Sequence, residues 1–235
     1  MANIGSIAGK YEKLVIFDTE TTGLDFQRDE IIEFSAVVLE IRDGQAIVTE
    51  EYDNLVTLTP GNSIPPMITQ LTGITNADVA QRGIPKVQLC RDIARMMAGN
   101  TLLLAYNAHF DLSFLFYLLL RDGDITVLKG KDKLDLLTVY KDRRPYPHKL
   151  CNAIEAYGLS GRVVNSHRAI DDVLATVAVM EAMAAERDDL ERYINLFGYN
   201  PKYGIEGKPI GSVTYKPQAY HRANQQCIVP LYDNL

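Results

Sequence analysis

At 235 residues the chain has the length of one sizeable domain with a tail, and its 47% apolar content can fill a core without any run long enough to span a membrane. A formal net charge of −6, from 24 Lys and Arg against 30 Asp and Glu, argues at first against a nucleic-acid enzyme, because phosphate contact usually needs basic surface. The opening MANIGSIAGKYEK lacks the apolar centre of a signal peptide, and the well-separated Cys90, Cys151 and Cys227 have no zinc-ligand spacing, so inert thiols in a reducing cytoplasm are expected.

From the N-terminus, KLVIFDTE (13–20) is an apolar, β-rich run closed by a Thr-Thr-Gly turn, which predicts a buried strand. EIIEFSAVVLEIRDG (30–44) and QAIVTEEYDNLVTL (45–58) alternate about Asp43-Gly44, a hairpin signal, so the first three strands should form an antiparallel meander. Pro60 to Pro66 breaks the pattern, and residues 65–85 read as short helical pieces with turns. KVQLCRDIARMMAG (86–99) has amphipathic helical spacing and stops at Gly99. TLLLAYN (101–107) predicts a short apolar strand that runs directly into the helix HFDLSFLFYLLLR (109–121). Helical pattern returns at about 134–142, 149–157 and 168–187, whereas residues 198–235 contain four Gly and four Pro and read as an irregular extension. Charge is uneven along this order: residues 129–168 carry nine Lys and Arg against four acids, leaving −11 for the remainder. That basic stretch is either a solvated face or a track for phosphates.

Asp18 and Glu20 are two apart on a strand, so their side chains leave the same face. Two such carboxylates on a buried strand repel and lose hydration unless something neutralises them. A solvated hairpin edge would avoid that cost, but Leu14-Val15-Ile16-Phe17 just before them marks a buried strand, and bound cations are the better account. Asp111 sits in the first turn of an apolar helix, where Asp also serves as a cap or complements the helix dipole. His167 and Asp172 are five apart, about 140° around an ideal helix, so they converge only if one lies outside it. Asn165 or Ser166 as N-cap would leave His167 at the flexible start and Asp172 one turn inside, with Asp171 as the alternative ligand. Hard oxygen ligands without a Cys/His cluster select Mg²⁺ or Mn²⁺ over zinc.

Together FDTETTGLD (17–25), NAHFDLSFL (107–115) and HRAIDDVLAT (167–176) resemble the signature segments of the DnaQ-like (DEDDh) 3′→5′ exonucleases, the family of the proofreading subunit of bacterial DNA polymerase III. The resemblance covers roughly residues 10–185, and it implies an α/β fold of the ribonuclease H-like type. That fold is a mixed five-stranded sheet, three antiparallel strands followed by parallel crossovers, with helices on both faces. It implies an exonuclease domain over 10–187 and an extension over 188–235. His-x-Ala-x-x-Asp in the family's third segment selects Asp172 over Asp171. By the same resemblance Asp18, Glu20, Asp111 and Asp172 hold two Mg²⁺ or Mn²⁺ ions, and His167 is the general base for water attack that releases 5′-phosphomonoesters.

The substrate implied is the 3′ end of single-stranded DNA, in proofreading or repair. Thr21, Thr22, Gly23 and Leu24 would seat the terminal nucleotide. Leu71 and Ile74 of LTGIT (71–75) would touch its base, and Asn107 and Phe110 would flank the site. Core packing is the alternative for each. RNA, as for relatives of the ribonuclease T and oligoribonuclease type, is a second substrate reading, and a non-catalytic polymerase or clamp adaptor a third. Gln226-Cys227-Ile228-Val229-Pro230-Leu231 loosely resembles a hexapeptide that docks bacterial replication proteins on the sliding clamp; packing onto the domain is its alternative.

Overall fold

A computed structural model of the chain describes residues 4–196. Three strands, β1 (Lys13–Thr21), β2 (Ile31–Arg42) and β3 (Gln45–Leu55), form the expected antiparallel meander. Asp43 and Gly44 join β2 to β3 with φ of 52° and 74°, the left-handed pair that a two-residue hairpin turn demands. β4 (Thr101–Ala105) pairs parallel to β1, and β5 (Asp132–Asp135) parallel to β4, giving the sheet order β3-β2-β1-β4-β5.

Residues 65–85 do fold as two short helices, α1 (Pro66–Thr72) and α2 (Asn76–Arg82). Pro66 opens α1 and Gly73, at φ 76°, closes it, while Thr75 and Asp78 cap α2 reciprocally. Five further helices follow: α3 (Lys86–Met96), α4 (Ala108–Asp122), α5 (Leu136–Arg143), the equally short α6 (Leu150–Ala156), and α7 (Ala169–Glu186). No helix among the described residues is long and apolar enough to cross a membrane.

The strand period of two sorts β1 between two cores. Leu14 and Ile16 enter the cluster built on α7, with Val173, Val179, Met180 and Met183. Val15 and Phe17 enter the opposite cluster, with Leu89 and Ile93 of α3 and Leu112 and Leu115 of α4. Each such fully buried aliphatic or aromatic side chain contributes roughly 1.5–3 kcal/mol relative to exposure. Helices therefore cover both faces, as the ribonuclease H-like resemblance implies, and the same alternation carried three residues further aims Asp18 and Glu20 toward α7.

β5 differs from the helix expected to begin at 134. Asp135 stops that helix from starting earlier: its Oδ1 accepts the Leu137 amide at 3.1 Å and its Oδ2 the Thr138 hydroxyl at 2.8 Å, so helix begins at Leu136. Residues past the expected boundary at 187 are also part of the packing. Leu190, Tyr193 and Ile194 join the α7 cluster, and Asn195 brackets Lys133 of β5, donating its amide to the Lys133 carbonyl at 2.7 Å and accepting the Lys133 amide at 2.9 Å. The Gln226–Leu231 segment lies outside the described residues.

Candidate active site

Asp18 and Glu20 leave the α7 face of β1, and Asp172 leaves the first turn of α7 to meet them. One carboxylate oxygen from each lies within 4.8 Å of the other two. Asp111 approaches from α4, on the opposite side of the sheet, and is buried there. Its Oδ1 accepts the Thr19 amide at 3.0 Å and the Thr19 hydroxyl at 2.8 Å, which fixes the carboxylate at the same point along β1. Four acids thus gather around one strand end, three in direct proximity and the fourth across the strand.

Burial and mutual repulsion hold these acids toward their neutral forms. Glu20 is pushed up to about 8, by burial first and then by Asp172 and Glu33. Burial raises Asp111 to about 7 against the two Thr19 hydrogen bonds. Asp18 is held well above the usual carboxylate range by burial and by Asp111, and Asp172 is raised by burial against the hydrogen bond from Asn165. Among the described residues no amide or side chain donates a hydrogen bond to Asp18 or Glu20. A divalent cation fits this donor set: all oxygen, partly desolvated, and offset within the chain only in part, by Arg168 near Glu20.

His167 precedes α7 at φ 58°, a left-handed conformation uncommon for a side-chain-bearing residue. The expected cap is not found: α7 starts at Ala169 with no side-chain cap, and Asn165 instead donates to Asp172 Oδ1 at 2.6 Å. Asp171 accepts from Ser166 and stays outside the three-carboxylate group. What secures this corner is Glu33, a fully buried acid in the apolar β2. It accepts the Ala169 amide at 2.8 Å and a forked contact from Arg168. Glu33 lies directly across from Glu20 in the β1–β2 register, so the Arg168 guanidinium offsets charge on both. Glu33→Ala should lower stability by about 1–3 kcal/mol, since it leaves a buried amide and a cation unpaired, which thermal melting of wild type and variant will measure.

Asp18, Asp172 and His167 open into a cleft of about 930 Å³. Of the expected substrate contacts, Leu24 (81% exposed), Asn107 and Phe110 line it. Asn107 takes φ 68° and donates its amide to Asp135 at 2.9 Å, and Phe110 packs on Phe114 with ring centroids 4.9 Å apart. Thr21, the last residue of β1, and Thr22 just after it are buried, with Thr21 Oγ1 donating to Gly23 O at 2.6 Å and Thr22 Oγ1 to Asp29 at 3.0 Å. A Cβ at Gly23 would fall 2.4 Å from the Asp29 carboxylate, so a larger residue there would have to displace the side chain that accepts from Thr22 and Asp25. Ile74 is core, with Ile32, Leu55 and Val79, and Leu71 is half-exposed on α1; neither lines the cleft. Glu33 and Asp135 were not singled out by their motifs, and Asn165 was read only as a cap. An acid inside IIEFSAVV and an Asp three residues before Thr138 were the available signals.

A family profile described as Exonuclease matches residues 15–180. Among curated relatives, a "DNA polymerase III PolC-type" of Clostridium perfringens is 32% identical over 171 residues, 72% of this chain and 11% of that protein. A "DNA polymerase III subunit epsilon-like protein" of Rhodobacter capsulatus is 34% identical over 167 residues, 69% of this chain and 22% of that protein. The "3'-5' exonuclease DinG" of Bacillus subtilis is 35% identical over 113 residues, 48% of this chain and 11% of that protein. The chain thus spans between 11% and 22% of the length of these relatives. A crystal structure of E. coli Exonuclease I in complex with a dA16 oligonucleotide shares the fold at a TM-score of 0.67 and 20% identity, over 77% of this chain and 42% of that one. Because the profile match takes in all three acidic segments on this common fold, the chain belongs to the DnaQ-like exonuclease family.

Proposed function

We propose that the chain is a divalent-metal-dependent 3′→5′ exonuclease that hydrolyses phosphodiester bonds at single-stranded DNA ends, in a replication or repair setting. The observation that carries the reading is the convergence of Asp18, Glu20 and Asp172 within 4.8 Å, with His167 lining the same cleft as Asp18 and Asp172 and Asp111 held behind β1 on Thr19. Asp18, Glu20 and Asp172 would hold a divalent cation, Mg²⁺ or Mn²⁺, and Asp18 with Asp111 a second. Bound there, such ions supply charge neutralisation and Lewis acidity to a phosphodiester.

The chain's own residues account for the rest. His167 takes the proton of the water that attacks phosphorus, while the bond to the 3′ oxygen of the penultimate nucleotide breaks. Asn165 orients the Asp172 carboxylate through its 2.6 Å hydrogen bond. Leu24 and Phe110 offer apolar surface to the terminal base, and the Thr21–Gly23 turn seats its sugar. The crystallised E. coli neighbour holds a dA16 oligonucleotide, which favours a single strand of DNA as substrate. Docking on a polymerase or sliding clamp would run through Gln226–Leu231.

Digestion of 5′-labelled single-stranded DNA, duplex DNA and RNA in parallel tests the reading. The expected result is a descending ladder from single-stranded DNA in Mg²⁺ or Mn²⁺, slower digestion of the other two, and none in excess EDTA. Release of the label as a mononucleotide at the earliest times, or activity that survives EDTA, overturns it. Faster loss of RNA would move the substrate to the ribonuclease side.

A further inference from the structure

The cleft extends well beyond Asp18 and Asp172. Its volume of about 930 Å³ lies near the top of the roughly 300–1,000 Å³ range of small-ligand sites, with room for more than one nucleotide. Away from Asp18 and Asp172 it is lined by Lys141 at the end of α5 and by the loop residues Tyr146, His148 and Lys149. None of these belongs to an acidic motif, and the loop they form is unusual in how it is held.

Both ends of the loop are pinned. Arg143, itself buried, donates to the Met183 carbonyl at 2.7 Å and pairs with Asp189, and Arg144 pairs with Glu186 at 2.7 Å while stacking over Tyr157. The Tyr106 hydroxyl donates to the His148 carbonyl at 2.8 Å, and His148 Nε2 meets the Arg144 carbonyl at 2.9 Å. The His148 ring is wedged edge-on between Tyr140 and Tyr146, with centroids 5.7 and 5.8 Å away. Yet Tyr146 is 85% exposed. A large aromatic ring is thus held up to solvent at the rim of the cleft by a loop fixed beneath it. Among the described residues no carboxylate is in salt-bridge contact with Lys141 or Lys149, and the buried Asp135 feels Lys141 only at longer range.

An exposed ring on a fixed support loses little freedom when a flat partner stacks on it, and nucleobases stack on aromatics whatever their identity. Lysines beside it without a salt-bridge partner complement a phosphate backbone, and one cleft is lined by this rim and by Asp18 and Asp172. We propose that Tyr146, with Lys141 and Lys149, forms a stacking and phosphate subsite for single-stranded nucleic acid upstream of the nucleotide being removed. This rests on the exonuclease reading above and extends it: the subsite sets how strongly the enzyme favours longer strands over dinucleotides.

The experiment follows hydrolysis of 5′-labelled oligothymidylates of two to eight nucleotides in Mg²⁺, together with anisotropy of the same strands binding in EDTA. Tyr146→Ala should raise KM for the longest strand by about 5- to 100-fold, the effect of one lost base stack, with kcat unchanged and the dinucleotide untouched. Tyr146→Phe should behave as wild type. Lys141→Met and Lys149→Met should each lower the slope of log affinity against log salt by about 0.7. An unaltered length preference in Tyr146→Ala, or an equal loss on dinucleotide and longer strands, overturns the subsite. Absence of any hydrolysis by the wild type, with binding that still depends on Tyr146, would instead sink the exonuclease reading and leave the subsite standing.

Discussion

Glu20→Gln and Asp18→Asn are each expected to cut hydrolysis by at least about 10³-fold, a loss of a few kcal/mol of transition-state stabilisation, and yet to stabilise the metal-free protein at alkaline pH. The second half follows from linkage. Glu20, ordinarily near 4.5, is raised to about 8 in the folded chain, and Asp111 to about 7. A raised folded value means that the contribution is fully present below the ordinary carboxylate range. It is lost as pH climbs through the folded values, because the folded protein must then ionise acids that it holds neutral. In EDTA the wild-type Tm should therefore fall between about pH 5 and pH 8, and Glu20→Gln should flatten that fall. Adding Mg²⁺ should restore the wild type and not the variant. Melting curves across pH with paired activity assays decide the matter: a variant within tenfold of wild-type activity, or one with the same pH slope, overturns the assignment.

His167→Ala should lower turnover by roughly 10²–10⁴-fold, the range for a positioned general base, while leaving divalent-cation affinity nearly intact. His167 is outside the three-carboxylate group and in the loop before α7, so its loss removes a proton acceptor without removing a ligand. Titration calorimetry with Mn²⁺ separates the two roles: a large drop in cation affinity would make His167 a ligand. Asp171→Ala is the companion control. Asp171 is engaged by Ser166 and absent from the group, so its loss should be mild where Asp172→Ala is severe.

The elements that a periodic pattern can reveal were legible in the chain. The β2–β3 hairpin announced itself through Asp43-Gly44, and α3, α4 and α7 through their apolar spacing. β5 did not, because DKLD is four residues long and polar at three of them. Its strand character comes from pairing with β4 and from Asn195, both distant in sequence. The acidic motifs were legible by spacing, since strand alternation puts Asp18 and Glu20 on one face. Their surroundings were not. Glu33 is tied to Ala169 and Arg168 across more than a hundred residues, and nothing local marks it apart from a charge in an apolar run. Ile74 shows the converse: a position suited by motif to touch substrate is consumed by packing against Ile32 and Val79.

Asn195 clasping Lys133 has a bearing on self-association. An open sheet presents unpaired amides and carbonyls at both borders, where a second chain can add itself as another strand. Here the β5 border is occupied by the chain's own Asn195 at Lys133. The opposite border, β3, displays Glu50, Glu51 and Asp53, with Glu50 further tied to Arg95 at 2.6 Å. Strand-by-strand growth of one molecule upon another thus meets a plug on one side and repulsion on the other. A chain ending at Arg187 would lose the plug, and with it one of the two safeguards that keep neighbouring copies from polymerising through their sheets.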